Sequence, residues 1–234
     1  MPQLILISGL AADAEMWQDQ LAALPARWRT QVTDVPARHA SIEAMAQALL
    51  QEHSGPLVLC GASMGGMVAM EAVRQSPERI HGLALLGTGA QPENPLQRRQ
   101  RENAIALFEQ GRLAEFVRAS ASFAFARERA ADKHLTRRYK ALVLRATTEQ
   151  WIRQNRAVMA RPDARLHLAQ VRCPTLVLCG ESDLLTPPAY AREIAALVPG
   201  AELQLLPECG HMLTMEQPEA VNAALLAWLL RLGR

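Results

Sequence analysis

The stretch from residue 57 to residue 66 constrains the fold of this chain more than any other. Four apolar residues, LVLC at 57–60, run directly into GASMGG at 61–66. The apolar residues that follow, up to Pro77, recur at helical spacing, so the stretch predicts a buried strand, a sharp turn and a helix. Glycine lets a helix pass close to the preceding strand, because it has no Cβ to collide with backbone. The sequence therefore places Ser63 on a tight turn at the end of a strand.

Strand and helix patterns alternate through most of the chain. Apolar runs predict strands at residues 4–7, 31–35, 57–60, 80–86, 175–178 and 202–206. Apolar residues at helical spacing predict helices at residues 14–24, 41–50, 188–197 and from Pro218 onward. This alternation predicts the α/β class, with a mostly parallel sheet covered by helices on both faces.

The strand pattern disappears between residues 91 and 162. This segment is rich in Arg and Ala and predicts three or four helices. Breaks are expected near Gly111, near residues 120–122 and around Asp132. We therefore expect an α/β core made of residues 1–90 and 163–234, with residues 91–162 inserted as a helical cap.

Positive charge is concentrated in this inserted segment. Residues 93–165 contain 16 Lys and Arg against 8 Asp and Glu, a net charge near +8, and the remainder is near −6. Solvated helices that use Arg for solubility explain such a balance. The alternative is an insertion that attracts an anionic substrate. The Arg residues are scattered and lack interleaved aromatic residues, so we expect no nucleic-acid partner.

Composition and termini favour a soluble cytoplasmic protein. Half of the residues are hydrophobic, but no apolar run reaches the roughly 18 to 20 residues that span a bilayer. The N-terminal sequence MPQL carries no basic region of the kind that begins a signal peptide. Four cysteines, Cys60, Cys173, Cys179 and Cys209, show no C-x-x-C spacing, so we expect reduced thiols and no metal site. The oligomeric state stays open.

Ser63 is a candidate nucleophile, because the G-x-S-x-G pattern resembles a nucleophile elbow, although a plain strand-to-helix turn has the same pattern. A serine hydroxyl needs an adjacent imidazole, and the imidazole needs a group that holds its tautomer. Both are expected after the serine, on loops that follow later strands. His211 follows the late strands and is the predicted base, although a loop histidine is often only a surface residue. The other histidines do not fit this order: His39, His53, His81, His134 and His167.

The loop after the strand at residues 175–178 offers two acids. Glu181 and Asp183 both lie in it, and Asp183 is deeper in the turn. Asp183 is therefore the preferred partner of His211. An alternative role for Asp183 is to cap the helix that begins near Pro187. Asp34, which follows an early strand, is a more distant candidate.

Acyl transfer also needs two donors for the oxyanion. The backbone N–H of Met64 lies just after the serine, at a helix N-terminus, and Leu10 lies in the loop after the first strand. Because backbone groups would bind the oxyanion, the side chains of Leu10 and Met64 are free to line an apolar pocket. Ser8 either touches a substrate or ends the strand, and Trp17 is expected in the core.

Together these motifs resemble the α/β-hydrolase fold superfamily, in its small, cap-bearing, carboxylesterase-like form. The resemblance covers nearly the whole chain, in GASMGG at 61–66, SPERI at 76–80, CPTLVL at 173–178, GESD at 180–183, GH at 210–211 and EQPE at 216–219. It implies Ser63 as nucleophile, Asp183 as acid and His211 as base. It also implies about six strands, because the chain begins at the family's third strand.

Two stretches depart from the family pattern. Ser8-Gly9 stands where many relatives have His-Gly, and residues 34–39 replace a D-x-x-G-x-G turn. The first departure concerns the loop that would supply the Leu10 donor.

The predicted function is that of a metal-free and cofactor-free serine hydrolase that cleaves a carboxylic ester or thioester of a small metabolite through an acyl-enzyme. The same triad would serve a C–C bond hydrolase or a proton-abstracting lyase on an anionic metabolite. Arg98, Arg99 or Arg153 pointing inward would favour that alternative. A more remote alternative is a non-catalytic ligand receptor, since the fold does not determine the chemistry.

Overall fold

The sheet at the centre of the protein is parallel throughout. The structure is a computed structural model that describes residues 2–233, so Met1 and Arg234, which bound the predicted core, lie outside it. The strands in this range are β1 (Gln3–Ile7), β2 (Gln31–Thr33), β3 (Leu57–Ala62), β4 (Ile80–Leu86), β5 (Thr175–Gly180) and β6 (Glu202–Leu206). They form one six-stranded sheet in the order β2-β1-β3-β4-β5-β6, with parallel pairing at every step. The predicted α/β class and strand number are confirmed.

Helices connect these strands. They are α1 (Gln18–Ala23), α2 (Val35–Arg38), α3 (Ile42–Glu52), α4 (Met64–Gln75), α5 (Pro95–Glu109), α6 (Leu113–Ser120), α7 (Lys133–Val143), α8 (Thr148–Ala160), α9 (Arg165–Leu168), α10 (Pro188–Leu197), α11 (Leu213–Glu216) and α12 (Pro218–Leu232). Short 3-10 turns occur at Ala14–Trp17, Ala26–Trp28, Pro77–Arg79 and Ala121–Ala124.

Helices cover both faces of the sheet. Alternate side chains of each strand point to opposite sides, so each strand contributes to two apolar clusters. On one side, Leu4 and Leu6 of β1 belong to a cluster that includes Trp228 of α12. On the other side, Ile5 and Ile7 pack in a cluster built largely from α3, α4 and α10. Burial of this apolar surface is the dominant favourable contribution to folding.

Several predicted boundaries differ from the observed ones near the N-terminus. The predicted helix at residues 14–24 is a 3-10 turn followed by α1, and the predicted strand at residues 31–35 ends at Thr33. The chain turns into α2 there, because Pro36 lacks the N–H that a strand would need and suits the first turn of a helix. By contrast, β4, α10 and β6 have the predicted bounds.

Four helices, α5 to α8, fill the segment predicted as a cap. Gly111, at φ 75°, follows the end of α5, and the Asp132 side chain accepts from the backbone N–H groups of His134 and Leu135 at the start of α7. Phe108 of α5 and Trp151 of α8 belong to the same apolar cluster as strand residues. The division into core and cap stays a prediction.

Two further features bear on the sequence-based expectations. None of the helices in residues 2–233 is both long enough and apolar enough to cross a membrane. All four cysteines are free, and burial raises the pKa of the Cys173 thiol to about 11 and that of Cys179 to about 12.

Candidate active site

Ser63 lies on a strained turn between β3 and α4. Its φ of 54° and ψ of −118° fall in a region that residues other than glycine rarely adopt. A methyl group on Gly61 would lie 2.2 Å from the Gly65 carbonyl oxygen, and one on Gly65 would lie 2.0 Å from the Ile7 carbonyl oxygen. The Thr88 hydroxyl donates to the Ser63 carbonyl oxygen at 2.7 Å. Both glycines are therefore required for this turn.

His211 lies on the loop between β6 and α11 and contacts both of its predicted partners. Its Nε2 is 2.9 Å from Ser63 Oγ, and its Nδ1 is 2.8 Å from Asp183 Oδ2. Both distances are within hydrogen-bonding range. When Nδ1–H donates to the carboxylate, Nε2 is left to accept the proton of the serine hydroxyl.

Asp183 is buried at the end of β5 in a loop that satisfies its carboxylate. Oδ1 accepts from the backbone N–H groups of Leu185 at 2.9 Å and Thr186 at 2.8 Å, and Oδ2 accepts from the Thr186 hydroxyl at 2.7 Å. Burial alone would raise the pKa of Asp183, but the His211 ring and these hydrogen bonds outweigh it and lower the pKa. The carboxylate is therefore ionised and can hold the imidazole.

The alternative acids lie elsewhere. Glu181 is exposed to solvent. The Asp34 side chain is 72% exposed and pairs with Arg38 at 2.9 Å. Neither carboxylate is hydrogen-bonded to His211, which pairs with Asp183.

The predicted oxyanion residues lie on either side of Ser63. A methyl group on Gly9 would lie 3.3 Å from Ser63 Cβ, so the loop after β1 passes directly beside the serine. Leu10 and Met64 both border the cavity above it. Within residues 2–233, neither of their backbone N–H groups donates to a backbone or side-chain acceptor. Two backbone N–H groups without a protein acceptor therefore belong to residues that border the cavity at Ser63, and their role as oxyanion donors stays a prediction.

The loop after β1 is held by contacts with distant elements. Ala11, at φ 56°, donates its N–H to Gln154 Oε1 of α8 at 2.7 Å, and Gln154 Nε2 donates to the Pro36 carbonyl oxygen at 2.9 Å. Trp17 Nε1 donates to Ser8 Oγ at 3.1 Å, and both side chains are buried. Ser8 and Trp17 therefore support the loop and belong to the core, as expected for Trp17, and Ser8 does not border the cavity.

Glu216 fixes the loop that carries His211. Its Oε1 accepts from the Gly210 N–H at 2.8 Å, and its Oε2 accepts from the Ala126 N–H at 2.9 Å. The N–H of His211 donates to the Ala124 carbonyl oxygen at 3.1 Å. Burial raises the pKa of Glu216 despite these two donors. The buried carboxylate thus connects the histidine loop to the segment between α6 and α7.

A cavity of about 630 Å³ is bordered by Ser63 and His211. Its aromatic walls come mainly from helices α5 to α8 and the segment after α6: Phe108, Phe116, Phe123, Tyr139 and Trp151. A cavity of this size and character suits a small organic molecule. Arg101 borders it, whereas Arg98 and Arg99 are exposed and Arg153 donates to the Ala37 carbonyl oxygen. The arginine that borders the cavity is therefore Arg101, which the sequence analysis did not consider.

The family of the chain follows from its similarity to known proteins. A model of the alpha/beta hydrolase fold matches residues 2–218. The chain belongs to the α/β-hydrolase fold family. The predicted resemblance and the prediction of an α/β-hydrolase enzyme are thereby confirmed.

Named relatives of this α/β-hydrolase include two curated proteins. It is 30% identical to the pimeloyl-[acyl-carrier protein] methyl ester esterase of Aromatoleum aromaticum, over 93% of this chain and 94% of that protein. It is 27% identical to the putative carbamate hydrolase RutD of Serratia proteamaculans, over 98% and 91%. Among solved structures, a thermophilic esterase from Thermogutta terrifontis superposes with a TM-score of 0.89 at 27% identity, covering 99% of this chain and 90% of that one.

Sequence reasoning missed three supporting residues of this α/β-hydrolase. Thr186 lies in the same loop as Asp183, three residues later, so the proximity of the two in sequence indicates that its hydroxyl could bond the carboxylate. Glu216 lies in the EQPE stretch, five residues after His211, and nothing in that stretch indicates a contact with the histidine loop. Gln154 contacts Ala11 across a separation of 143 residues, and no local pattern in the sequence indicates that contact.

Proposed function

We propose that this α/β-hydrolase cleaves a carboxylic ester of a small metabolite through an acyl-enzyme on Ser63. One observation carries the proposal: a continuous hydrogen-bonded path runs from Ser63 Oγ through the His211 ring to the Asp183 carboxylate, with distances of 2.9 Å and 2.8 Å. This arrangement of nucleophile, base and acid is the one that acyl transfer needs. A thioester would react by the same steps.

In the first half-reaction, Ser63 Oγ attacks the carbonyl carbon while His211 Nε2 takes the hydroxyl proton. The ionised Asp183 stabilises the imidazolium that forms. Negative charge develops on the carbonyl oxygen, where the N–H groups of Leu10 and Met64 would receive it. The C–O bond to the alcohol then breaks, and the alcohol leaves with the proton from His211.

In the second half-reaction, a water molecule replaces the alcohol. His211 takes one proton from the water as its oxygen attacks the acyl carbon, and the same oxyanion donors serve again. Collapse of the intermediate releases a carboxylic acid and returns the proton to Ser63 Oγ. One ester and one water thus become one acid and one alcohol, and no step calls on a metal or a cofactor.

The relatives support this choice of reaction. Two of the three similar proteins named above are esterases, and the third is described as a putative carbamate hydrolase. The mostly aromatic and aliphatic cavity supports a small-molecule substrate. We further propose that residues 91–162 act as the cap, because their helices supply most of the aromatic wall and would select the substrate.

Reaction with a fluorophosphonate, read by intact-mass analysis, tests the nucleophile directly. We expect a single adduct on the wild-type protein and none on Ser63→Ala, because the reagent needs an activated serine and an oxyanion site. Ser120→Ala is the matched control: Ser120 borders the same cavity, but its hydroxyl donates to the Phe116 carbonyl oxygen at 2.8 Å. The control should label like the wild type.

Failure to label the folded wild-type protein, or labelling that survives in Ser63→Ala, would contradict the proposal. A substrate screen then separates ester cleavage from its main rival. Turnover of C–C substrates without turnover of esters or thioesters would replace ester hydrolysis with the alternative reaction on the same triad.

A further inference from the structure

A second charged cluster borders the cavity and takes no part in the proposed bond cleavage. It consists of Glu93, Arg101, Asn155 and Arg161, and we call it the Arg101 cluster. Arg101 Nε donates to Glu93 Oε1, and Arg101 Nη1 donates to Asn155 Oδ1 at 2.8 Å. Arg161 Nη1 lies 3.3 Å from the same Glu93 oxygen. The Arg101 guanidinium is therefore held in one position by α8 and by the loop before α5.

The cluster holds two guanidinium groups against one carboxylate. The side chains of Glu93 and Arg161 are 4% and 6% exposed, so both charges are buried. Arg161 also donates to the carbonyl oxygens of Val158 and Gln91, at 2.8 Å and 3.0 Å. Glu93 is thus shared between two cations, and a net charge of +1 is left. Because the two buried charges are opposite, this excess charge belongs to Arg101, and a partly desolvated cation attracts an anion more strongly than a fully hydrated one does.

Arg101 is the member of the cluster that a ligand can reach. Its side chain is 30% exposed and borders the same cavity as Ser63 and His211. Its Nη2 donates to no acceptor among residues 2–233, whereas Nε and Nη1 are both engaged. An arginine that is pre-positioned and keeps free donors suits recognition of a carboxylate.

The walls around this cation define the rest of the ligand. Phe108 and Trp151 come from α5 and α8, the helices that carry Arg101 and Asn155, and both border the cavity. Gln97, Gln100 and Ser120 also border the cavity, but the aromatic walls favour a hydrocarbon segment between the two ends of a ligand. A ligand that meets these features would place an ester at Ser63, an apolar segment against the aromatic walls and an anion at Arg101.

We propose that Arg101 binds a carboxylate of the substrate, so that the preferred substrates are half-esters: small esters that carry a second, ionised carboxyl group. This inference rests on the proposed ester hydrolysis. Arg101 selects the substrate, and the triad cleaves it. Charge-assisted hydrogen bonds in a partly buried site contribute more than neutral ones, so the loss of this contact is expected to be measurable.

The test compares monomethyl with dimethyl esters of dicarboxylic acids from succinate to suberate. Each pair differs by one negative charge, since the free carboxyl is ionised at neutral pH. We expect the wild type to prefer the monomethyl ester in kcat/KM, with the preference largest at the chain length that spans Ser63 and Arg101. Arg101→Gln should reduce the ratio of monoester to diester by about 10- to 100-fold.

Arg112→Gln is the matched control. Arg112 pairs with Glu115 on an exposed surface and does not border the cavity, so this variant should keep the wild-type ratio. An equal loss on both esters in Arg101→Gln would leave the ratio unchanged and would overturn the proposal. The absence of any monoester preference in the wild type would overturn it without recourse to a variant.

A binding measurement distinguishes failure of this inference from failure of the proposed function. Adipate should raise the Tm of the wild type but not that of Arg101→Gln, because a ligand that binds only the folded state stabilises it. If fluorophosphonate labels no serine but adipate still protects only the wild type, the carboxylate site stands and the ester chemistry fails. If Ser63 is labelled and adipate shifts neither protein, the carboxylate site fails alone.

Discussion

The side chains around Asp183 and the Arg101 cluster differ in how many of their hydrogen-bonding atoms have a partner. Asp183 accepts hydrogen bonds from two backbone N–H groups, the Thr186 hydroxyl and His211. In the Arg101 cluster, Glu93 Oε2 accepts no hydrogen bond in the part of the chain that the structure describes, and that oxygen calls for a donor and not for an anion. Arg101 Nη2 has no acceptor there either. The first cluster is complete without a ligand, and the second is not.

Because of this difference, we expect the residues around Asp183 to determine the rate of ester cleavage and Arg101 to determine which esters are preferred. A fully matched carboxylate holds its imidazole in place before any substrate arrives, and such preorganisation lowers the barrier to reaction. A cation with free donors gains a partner only when an anion binds, so it discriminates between substrates. Changes around Asp183 should therefore lower kcat for every ester, whereas changes at Arg101 should alter preference among esters.

The largest effect is expected from Asp183→Asn. The amide cannot stabilise the imidazolium and favours the wrong tautomer of His211, so kcat should fall by about 10⁴-fold for neutral and anionic esters alike. Steady-state kinetics on both ester types measures this. Glu181→Gln is the control and should have little effect, because Glu181 is exposed. A damaging Glu181→Gln beside a mild Asp183→Asn would identify Glu181 as the acid.

A smaller general loss is expected from Glu216→Gln. Two backbone donors, from Gly210 and Ala126, point at the Glu216 oxygens, and an amide offers only one oxygen to them. An unmatched buried donor costs about 1 to 3 kcal/mol, so we expect kcat to fall by about 10- to 100-fold. Glu216 positions His211 and is not expected to touch substrate, so KM should stay close to the wild-type value. A rise in KM with unchanged kcat would assign Glu216 to substrate binding.

Thr186→Val sharpens the comparison through pH. The pKa of Asp183 is lowered in the folded state, so its ionised form adds stability above its unfolded pKa of about 3.9, and that stability is lost as pH falls through the lowered value. Removing the hydroxyl should lower the free energy of unfolding by about 1 kcal/mol near neutral pH. Urea denaturation at decreasing pH should show this difference shrinking below about pH 3.9. A difference that is constant with pH would mean that the hydroxyl acts through packing alone.

The smallest effect is expected from salt. The helices between β4 and β5 are basic, but exposed arginines such as Arg145 and Arg156 already pair with carboxylates. Raising ionic strength from about 0.1 M to about 1 M should increase KM for monomethyl adipate by roughly two-fold and leave dimethyl adipate unchanged. A much steeper increase would show that the whole basic surface attracts the substrate, and would reduce the role given to Arg101.

Much of the sheet and the order of Ser63, Asp183 and His211 could be predicted because their causes are local. Gly61 and Gly65 indicate the sharp turn at Ser63, since neither position has room for a Cβ. Continuous apolar runs predict strands that are buried on both faces of the sheet. Glycine and strand ends also place the loops that carry Asp183 and His211.

The remainder depends on contacts between distant parts of the chain. Arg98, Arg99 and Arg101 lie within one turn of α5, and only the rotation of that helix against α8 decides which one borders the cavity. The buried positions Ala104 and Phe108, spaced three and seven residues after Arg101, do indicate the correct face in retrospect. The contact between Gln154 and Ala11 has no such indicator, because it depends on tertiary packing alone.

The contact between Gly210 and the segment after α6 limits how the protein can be redesigned. A methyl group on Gly210 would lie 2.4 Å from backbone atoms of Phe125 and Ala126, and Ala124 accepts the N–H of His211. Replacing residues 91–162 wholesale to change specificity would therefore remove part of the support of His211. A transplanted insertion keeps that support if it preserves the backbone of residues 124–126. It must also keep Gln154 of α8, which holds the loop after β1 through Ala11, so α5, α6 and α7 are the helices that can be exchanged.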